Sequence, residues 1–270
     1  MSFAGVFAAA VTPRGKQGEI DFGASFLLID YLCKAGVGGI ALCSSTGEFG
    51  ALDDEERSRL VYLAVKRSRV PILAGVGNAT LDGSVALARE ARDAGAAGLL
   101  LPPPHFFRFD QDDLREFYRQ FLAHLDGGIP IYLDPSGLHS PLEPETISEL
   151  LSSGHFAGIA HTGDAPEPGA AVTISAAACA VPELVVALNR AMCAGNAAQA
   201  AGLAARLREF QDWVRQFPEP ALVKTATELR GLKVGPLAVP LSPAKQQKLA
   251  QFRAWFESWL PETKKLAAHG

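Results

Sequence analysis

Seven short apolar runs alternate along the chain with longer stretches whose apolar residues recur every three or four positions. The runs are Val6 to Val11, Gly39 to Leu42, Ile72 to Val76, Gly98 to Leu101, Ile129 to Leu133, Ala157 to Ala160 and Val172 to Ala176. Between them the spacing predicts helices over Phe22 to Ala35, Asp54 to Arg67, Leu81 to Ala94, Gln111 to Leu125 and Pro144 to Ser152, several closed by a glycine such as Gly36, Gly95 or Gly154. Strand and helix in strict alternation make a parallel sheet with its helices outside. A closed barrel of this kind takes eight strands, and the shortfall has a place. Only eleven residues, HTGDAPEPGAA, separate Ala160 from Val172. A parallel crossover needs a dozen or more, and a whole strand-helix-strand unit about thirty. One strand and its helices are therefore expected to be missing there, leaving seven strands with either a gap or a direct pairing of the sixth and the last. From Val181 onward the chain is expected to be helical, apart from proline-rich breaks around Pro218, Pro236 and Pro240. The division expected is residues 1–180 as the barrel and 181–270 as a helical region packed on it as one structural unit.

At 270 residues and 48% hydrophobic content, such a barrel can bury a sizeable core as one domain. With 25 Lys and Arg against 29 Asp and Glu, the chain has no basic excess for a phosphate backbone or an anionic membrane. Nucleic acid and membrane are accordingly not expected as partners. No run approaches the roughly 18 apolar residues that cross a bilayer, and the apolar N-terminal stretch, ending at Pro13, reads as a first strand and not as a signal peptide. Cys33, Cys43, Cys179 and Cys193 lack CxxC spacing and are expected to be reduced core residues of a cytoplasmic protein.

The segment ALCSSTGEFGALDDEER sets Ser44, Ser45, Thr46, Gly47 and Glu48 directly after a strand and before a helix capped by Asp53 or Asp54. Hydroxyls and free N–H groups at such a junction can bind a carboxylate or phosphate, or can merely satisfy their own turn. Both readings stay open on these residues alone.

Four segments in order, GVFAAAVTPRGKQGEID, SSTGEFGALDDEER, ILAGVGNATLDGSVALAREARDAGAAGLLLPPPHFF and PEPALVKTATELRGL, resemble the successive motifs of the dihydrodipicolinate synthase and N-acetylneuraminate lyase family. The resemblance runs from the first strand to about Pro243. It implies a TIM-type (β/α)8 barrel, here shortened by about one βα unit between Ala160 and Val172, with a C-terminal helical extension and assembly into dimers or tetramers. It implies lyase or aldolase chemistry in which a lysine forms a Schiff base with pyruvate or another 2-keto acid, without a cofactor or metal. The hydroxyl pair that holds the keto-acid carboxylate falls on Ser45 and Thr46. The proton-relaying tyrosine falls on Tyr132, three residues before Pro135, and a phenol suits that task because it both gives and accepts a proton. The last strand, AVTIS, puts Ile174 among the expected substrate-binding residues.

The departures are as informative. The sixth-strand lysine position holds Ala160, and a methyl group forms no imine. No lysine lies between Lys66 and Lys224. Lys224, on a helix after the barrel, reads as a structural or surface residue, and Lys16 lies in the loop after the first strand. The substrate-binding arginine corresponds to Gly137, and a further tyrosine to Phe106 or His105. His139 and His161 are candidate acids or bases, but no carboxylate is spaced to orient either one. Asp164 and Glu167 complete no metal site. The expected function is a family member of lyase type that lacks Schiff-base activity and binds a small 2-keto acid or other small carboxylate. The alternatives are an aldolase with a recruited amine and a different, non-covalent enzyme on the same scaffold.

Overall fold

A computed structural model of the chain describes residues 5–137, 139–165 and 169–268. Seven parallel strands, β1 (Val6–Ala9), β2 (Gly39–Leu42), β3 (Ile72–Gly75), β4 (Gly98–Leu101), β5 (Ile131–Leu133), β6 (Gly158–Thr162) and β7 (Val172–Ser175), close into one barrel in sequence order. The barrel helices are α1 (Phe22–Ala35), α2 (Asp54–Arg67), α3 (Leu81–Ala94), α4 (Gln111–His124) and α5 (Pro144–Ser152). Side-chain oxygens of Asp21, Asp53, Thr80 and Asp110 cap the first four, each accepting a backbone N–H of the first turn. Gly36 and Gly95 end α1 and α3 in the left-handed conformation.

Closure is by direct pairing of β6 with β7, Ala160 opposite Val172, His161 opposite Thr173 and Thr162 opposite Ile174. This resolves the two expectations in favour of contact over a gap, and it corrects the end of the sixth strand. Predicted to stop at Ala160, the strand continues to Thr162, because β7 supplies hydrogen-bond partners that a crossover helix would have taken elsewhere. The fifth strand starts at Ile131 and not at Ile129: Pro130 has no N–H to give to a ladder, although its carbonyl accepts from Leu99 N at 2.8 Å.

Alternation along the strands divides the apolar side chains into two sets. Phe7, Ala9, Ala41, Leu73, Leu100, Tyr132, Ala160, Val172 and Ile174 fill the barrel interior. Their neighbours, such as Val6, Ile40, Leu99 and Ile131, face the helices. Barrel diameter grows with strand number, so seven strands enclose less width than eight, and the inward positions alternate large with very small residues. A Cβ on Gly39 would lie 2.0 Å from the Phe7 ring, and one on Gly98 would lie 2.9 Å from both Leu73 and Tyr132. The barrel is a filled core.

Past β7 the chain turns into α6 (Ala177–Ala180), α7 (Pro182–Cys193), α8 (Ala197–Val214), α9 (Ala221–Leu229) and α10 (Pro243–Ala268). Helix α6 packs on β1 and α9, and α7 packs on α1, α8 and α10. Phe210 of α8 meets Phe252, Phe256 and Trp259 of α10, with ring centroids 6.0–6.3 Å apart. One apolar cluster runs from the outer faces of the strands to these aromatics. Of the four cysteines, all free, Cys43 and Cys179 are buried and Cys33 is half-buried. Cys193 is exposed, contrary to expectation, because it falls on the last residue of α7, where the helix has passed its packed face.

The tight interior gives a paired prediction. Gly39→Ala is expected to destabilise the protein by about 1–3 kcal/mol through overpacking against Phe7. Gly202→Ala in α8, where nothing lies within 4 Å of a new Cβ, is expected to stabilise by about 0.5–1 kcal/mol. Urea midpoints of the two variants check both signs.

Candidate functional site at the C-terminal mouth of the barrel

The loop leaving β2 is held in a strained shape. Cys43 at its start and Glu48 at its end, neither of them glycine, have φ of 55° and 56°, a conformation that costs about 1–2 kcal/mol per residue and persists only where surroundings enforce it. Enforcement comes from three sides. The buried Thr12 hydroxyl donates to Gly47 O at 2.7 Å. The Gly47 Cα is so crowded that a Cβ would meet Ala10 O, Cys43 N and Ser44 O at 3.2–3.3 Å. Lys224 of α9, 2% exposed, donates from Nζ to Glu48 Oε2 at 2.5 Å and to Pro236 O at 2.8 Å, while Ala238 N donates to Glu48 Oε1. Burial lowers the Lys224 pKa, against the opposing hydrogen bond and charge of Glu48. Of the two expectations for Lys224, structural or surface, the structure favours the first: it is buried and fixes the end of the loop.

Between those anchors Ser45 and Thr46 present their hydroxyls to one acceptor. Thr46 Oγ1 donates to Glu219 Oε1 at 2.6 Å and Ser45 Oγ donates to the same atom at 3.5 Å. Ser45, Glu48 and Glu219 line a cavity of about 610 Å³ whose walls also include Phe49, Pro240 and Leu241. Ser45 also lines a second, smaller cavity of about 60 Å³ at the mouth, with Cys43, Ser44, His105 and Asp134. In this one Ser44 Oγ and His105 Nδ1 are buried with no hydrogen-bond partner among the described residues. His105 packs edge-on against Phe49 at 5.1 Å. Burial, with the nearby Arg57 guanidinium, pushes its pKa below the ordinary 6.5, so the ring is neutral at pH 7. Arg57 itself is buried, donating to Gly75 O and Gly77 O at 3.0 and 2.9 Å, and so ties the ends of α2 and β3 together beneath the mouth.

Tyr132, Ala160 and Ile174 are brought together, but inside the barrel, in its apolar cluster. Burial raises the Tyr132 pKa. The Ile174 carbonyl accepts Gly163 N at 2.9 Å and is committed to the β6–β7 closure. At Gly137 a Cβ would lie 2.5 Å from Ser140 O and 3.1 Å from Pro103, so no side chain, arginine included, fits without a shift of the backbone. Phe106 is exposed beside Phe107, Lys16 and His139 are exposed, and His161 alternates onto the outer face of β6. The Asp164 carboxylate accepts from Ser175 Oγ and from Gln211 Nε2 at 2.5 Å, bracing the shortened connection. Glu167 lies outside the described residues. Among the described residues no three His, Cys, Asp or Glu side chains converge as a metal site, and no helix is long and apolar enough to cross a membrane. Glu219 is the residue that sequence reasoning passed over. It stands in the quoted PEPALVK segment, but its partner is 173 positions away.

A model of the dihydrodipicolinate synthetase family matches residues 2–168 and again 160–258. The chain belongs to the dihydrodipicolinate synthetase family. The two matches overlap at the point where β6 passes to β7, which is where the barrel has lost a unit. The 4-hydroxy-tetrahydrodipicolinate synthase of Methanothrix thermoacetophila is 29% identical over 280 residues, covering 93% of this chain and 95% of its own. That alignment is longer than the 270-residue chain, so the relative carries residues this chain lacks. Among solved structures, the 4-hydroxy-tetrahydrodipicolinate synthase of Methylacidiphilum fumariolicum SolV superposes with a TM-score of 0.85 at 25% identity, over 98% of this chain and 99% of that one. The prophage protein YagE of E. coli K12, in complex with pyruvate, superposes with a TM-score of 0.83 at 24% identity, over 95% and 98% of the two chains, a likeness of fold.

The buried Lys224–Glu48 pair generates a stability prediction. Lys224→Met strands a carboxylate against the loop and is expected to cost about 3–5 kcal/mol. Glu48→Gln added to that variant is expected to recover part of the loss. Thermal and urea unfolding of the single and double variants measure both.

Proposed function

We propose that this member of the dihydrodipicolinate synthetase family works without a Schiff base and binds a small 2-keto acid or other small carboxylate non-covalently at the barrel mouth. The carrying observation is Ala160. Its methyl group is 1% exposed within the barrel core, packed with Tyr132 and Ile174, and no lysine follows in sequence until Lys224. An imine needs an amine within bonding reach of the carbonyl and free to attack it, whereas the Lys224 amine donates to Glu48 and Pro236.

Support for a ligand comes from the mouth. The hydroxyls of Ser45 and Thr46 already engage a carboxylate oxygen, and Ser44 Oγ and His105 Nδ1, at the smaller cavity, have no hydrogen-bond partner among the described residues, which supports a polar ligand there. A neutral His105 can donate from one ring nitrogen or accept at the other. The YagE complex makes pyruvate the natural first probe. We also read residues 1–180 and 181–270 as one structural unit, supported by the apolar cluster they share, and infer assembly into homo-oligomers in a cytoplasmic setting, as the family resemblance implies.

Incubation of the purified protein with pyruvate and sodium borohydride, followed by intact-mass measurement beside an active family enzyme, tests the chemistry. The expected result is an unchanged mass for this protein and a reduced adduct on the control. An adduct mapped to Lys224 would replace this reading with that of an aldolase that has recruited its amine.

A further inference from the structure

The carboxylate held by Thr46 and Ser45 is the protein's own, which sets the terms on which any outside acid can bind. We infer that Glu219 is an internal ligand of the Ser45–Thr46 hydroxyl pair and lowers the site's affinity for free monocarboxylates by competing with them for those two donors. The inference rests on the proposed carboxylate-binding function and adds the residue that controls it.

Three observations carry it. Thr46 is 2% exposed, so its hydroxyl has little access to water, and its 2.6 Å bond to Glu219 Oε1 has the short length of a charge-assisted contact. Ser45 Oγ reaches the same oxygen at 3.5 Å, so both donors converge on one point, as they would on a ligand carboxylate. Glu219 itself is exposed, stands at the start of α9 and forms part of the wall of the 610 Å³ cavity, and no basic side chain among the described residues pairs with it. Its hold on the site is the two hydroxyls. Moving it aside would free both donors at the cavity edge that Ser45 lines and leave the Lys224–Glu48 ion pair behind. An entering carboxylate would then meet two donors and no uncompensated negative charge from Glu219.

Competition by a tethered group also predicts a ranking of variants. Glu219→Ala removes the occupant. Glu219→Gln keeps an amide oxygen that still accepts from Thr46 but loses the charge. Pyruvate affinity, measured by isothermal titration calorimetry or by saturation-transfer NMR on the full chain, is expected to rise roughly tenfold or more in Glu219→Ala and by a smaller factor in Glu219→Gln. Thr46→Val combined with Glu219→Ala is expected to abolish the gain, with melting temperatures reporting that each variant is folded. Equal pyruvate affinity in the wild type and in both Glu219 variants would overturn the inference while leaving the proposed carboxylate binding intact. Absence of binding in all of them, Glu219→Ala included, would overturn both. A gain that survives Thr46→Val would place the competing site elsewhere and also overturn the inference.

Discussion

The direct ladder between β6 and β7 is the constraint on which the rest of the molecule depends. Without it the sheet would end in two open edges, with backbone donors and acceptors unpaired. With it, seven strands close on themselves, and the barrel must be narrower than an eight-stranded one. The interior follows from that width. Phe7, Leu73, Leu100 and Tyr132 fill the axis only because Gly39, Gly98, Ala41 and Ala160 give way to them. A long inward-pointing amine at position 160 would have to displace part of this packing, so the small residue there and the lost strand belong to one physical arrangement.

A filled barrel moves any binding outward to its C-terminal mouth, where loops and not strand interiors supply the polar groups. That mouth is built on a strained turn. Cys43 and Glu48 keep left-handed backbone conformations because Thr12, Gly47 and the buried Lys224 leave the loop no relaxed alternative. The lysine thereby does structural work: it crosses from a helix beyond the barrel to hold the loop that carries Ser45 and Thr46. Glu219, one turn earlier on the same approach to that helix, reaches the hydroxyls themselves. The helical extension therefore helps to build the candidate site.

Much of this was legible in the sequence. Apolar runs and helical periodicity located every strand and the barrel helices to within a residue or two, and the eleven residues between Ala160 and Val172 left no room for a further strand and its helices. They are nevertheless enough for β7 to pair parallel to β6, through a connection shorter than the expected minimum. That position 160 carries a methyl group and no amine can be read directly, since a methyl group is a methyl group in every fold. Strand ends were less legible: β6 runs on through His161 and Thr162 because β7 lies alongside, a partner that local sequence does not reveal.

The sequence by itself determined the class of fold, the short connection before the last strand and the alanine at position 160, because periodicity, chain length and side-chain chemistry are local properties. Only the tertiary structure decided that the barrel closes without a gap, that Gly137 has no room for a side chain, that Lys224 is buried on Glu48, and that Glu219 rests on Thr46. Each of these depends on groups far apart in the chain arriving within a few ångströms. Hydrogen bonds and excluded volume act over those distances, and sequence separation does not register them.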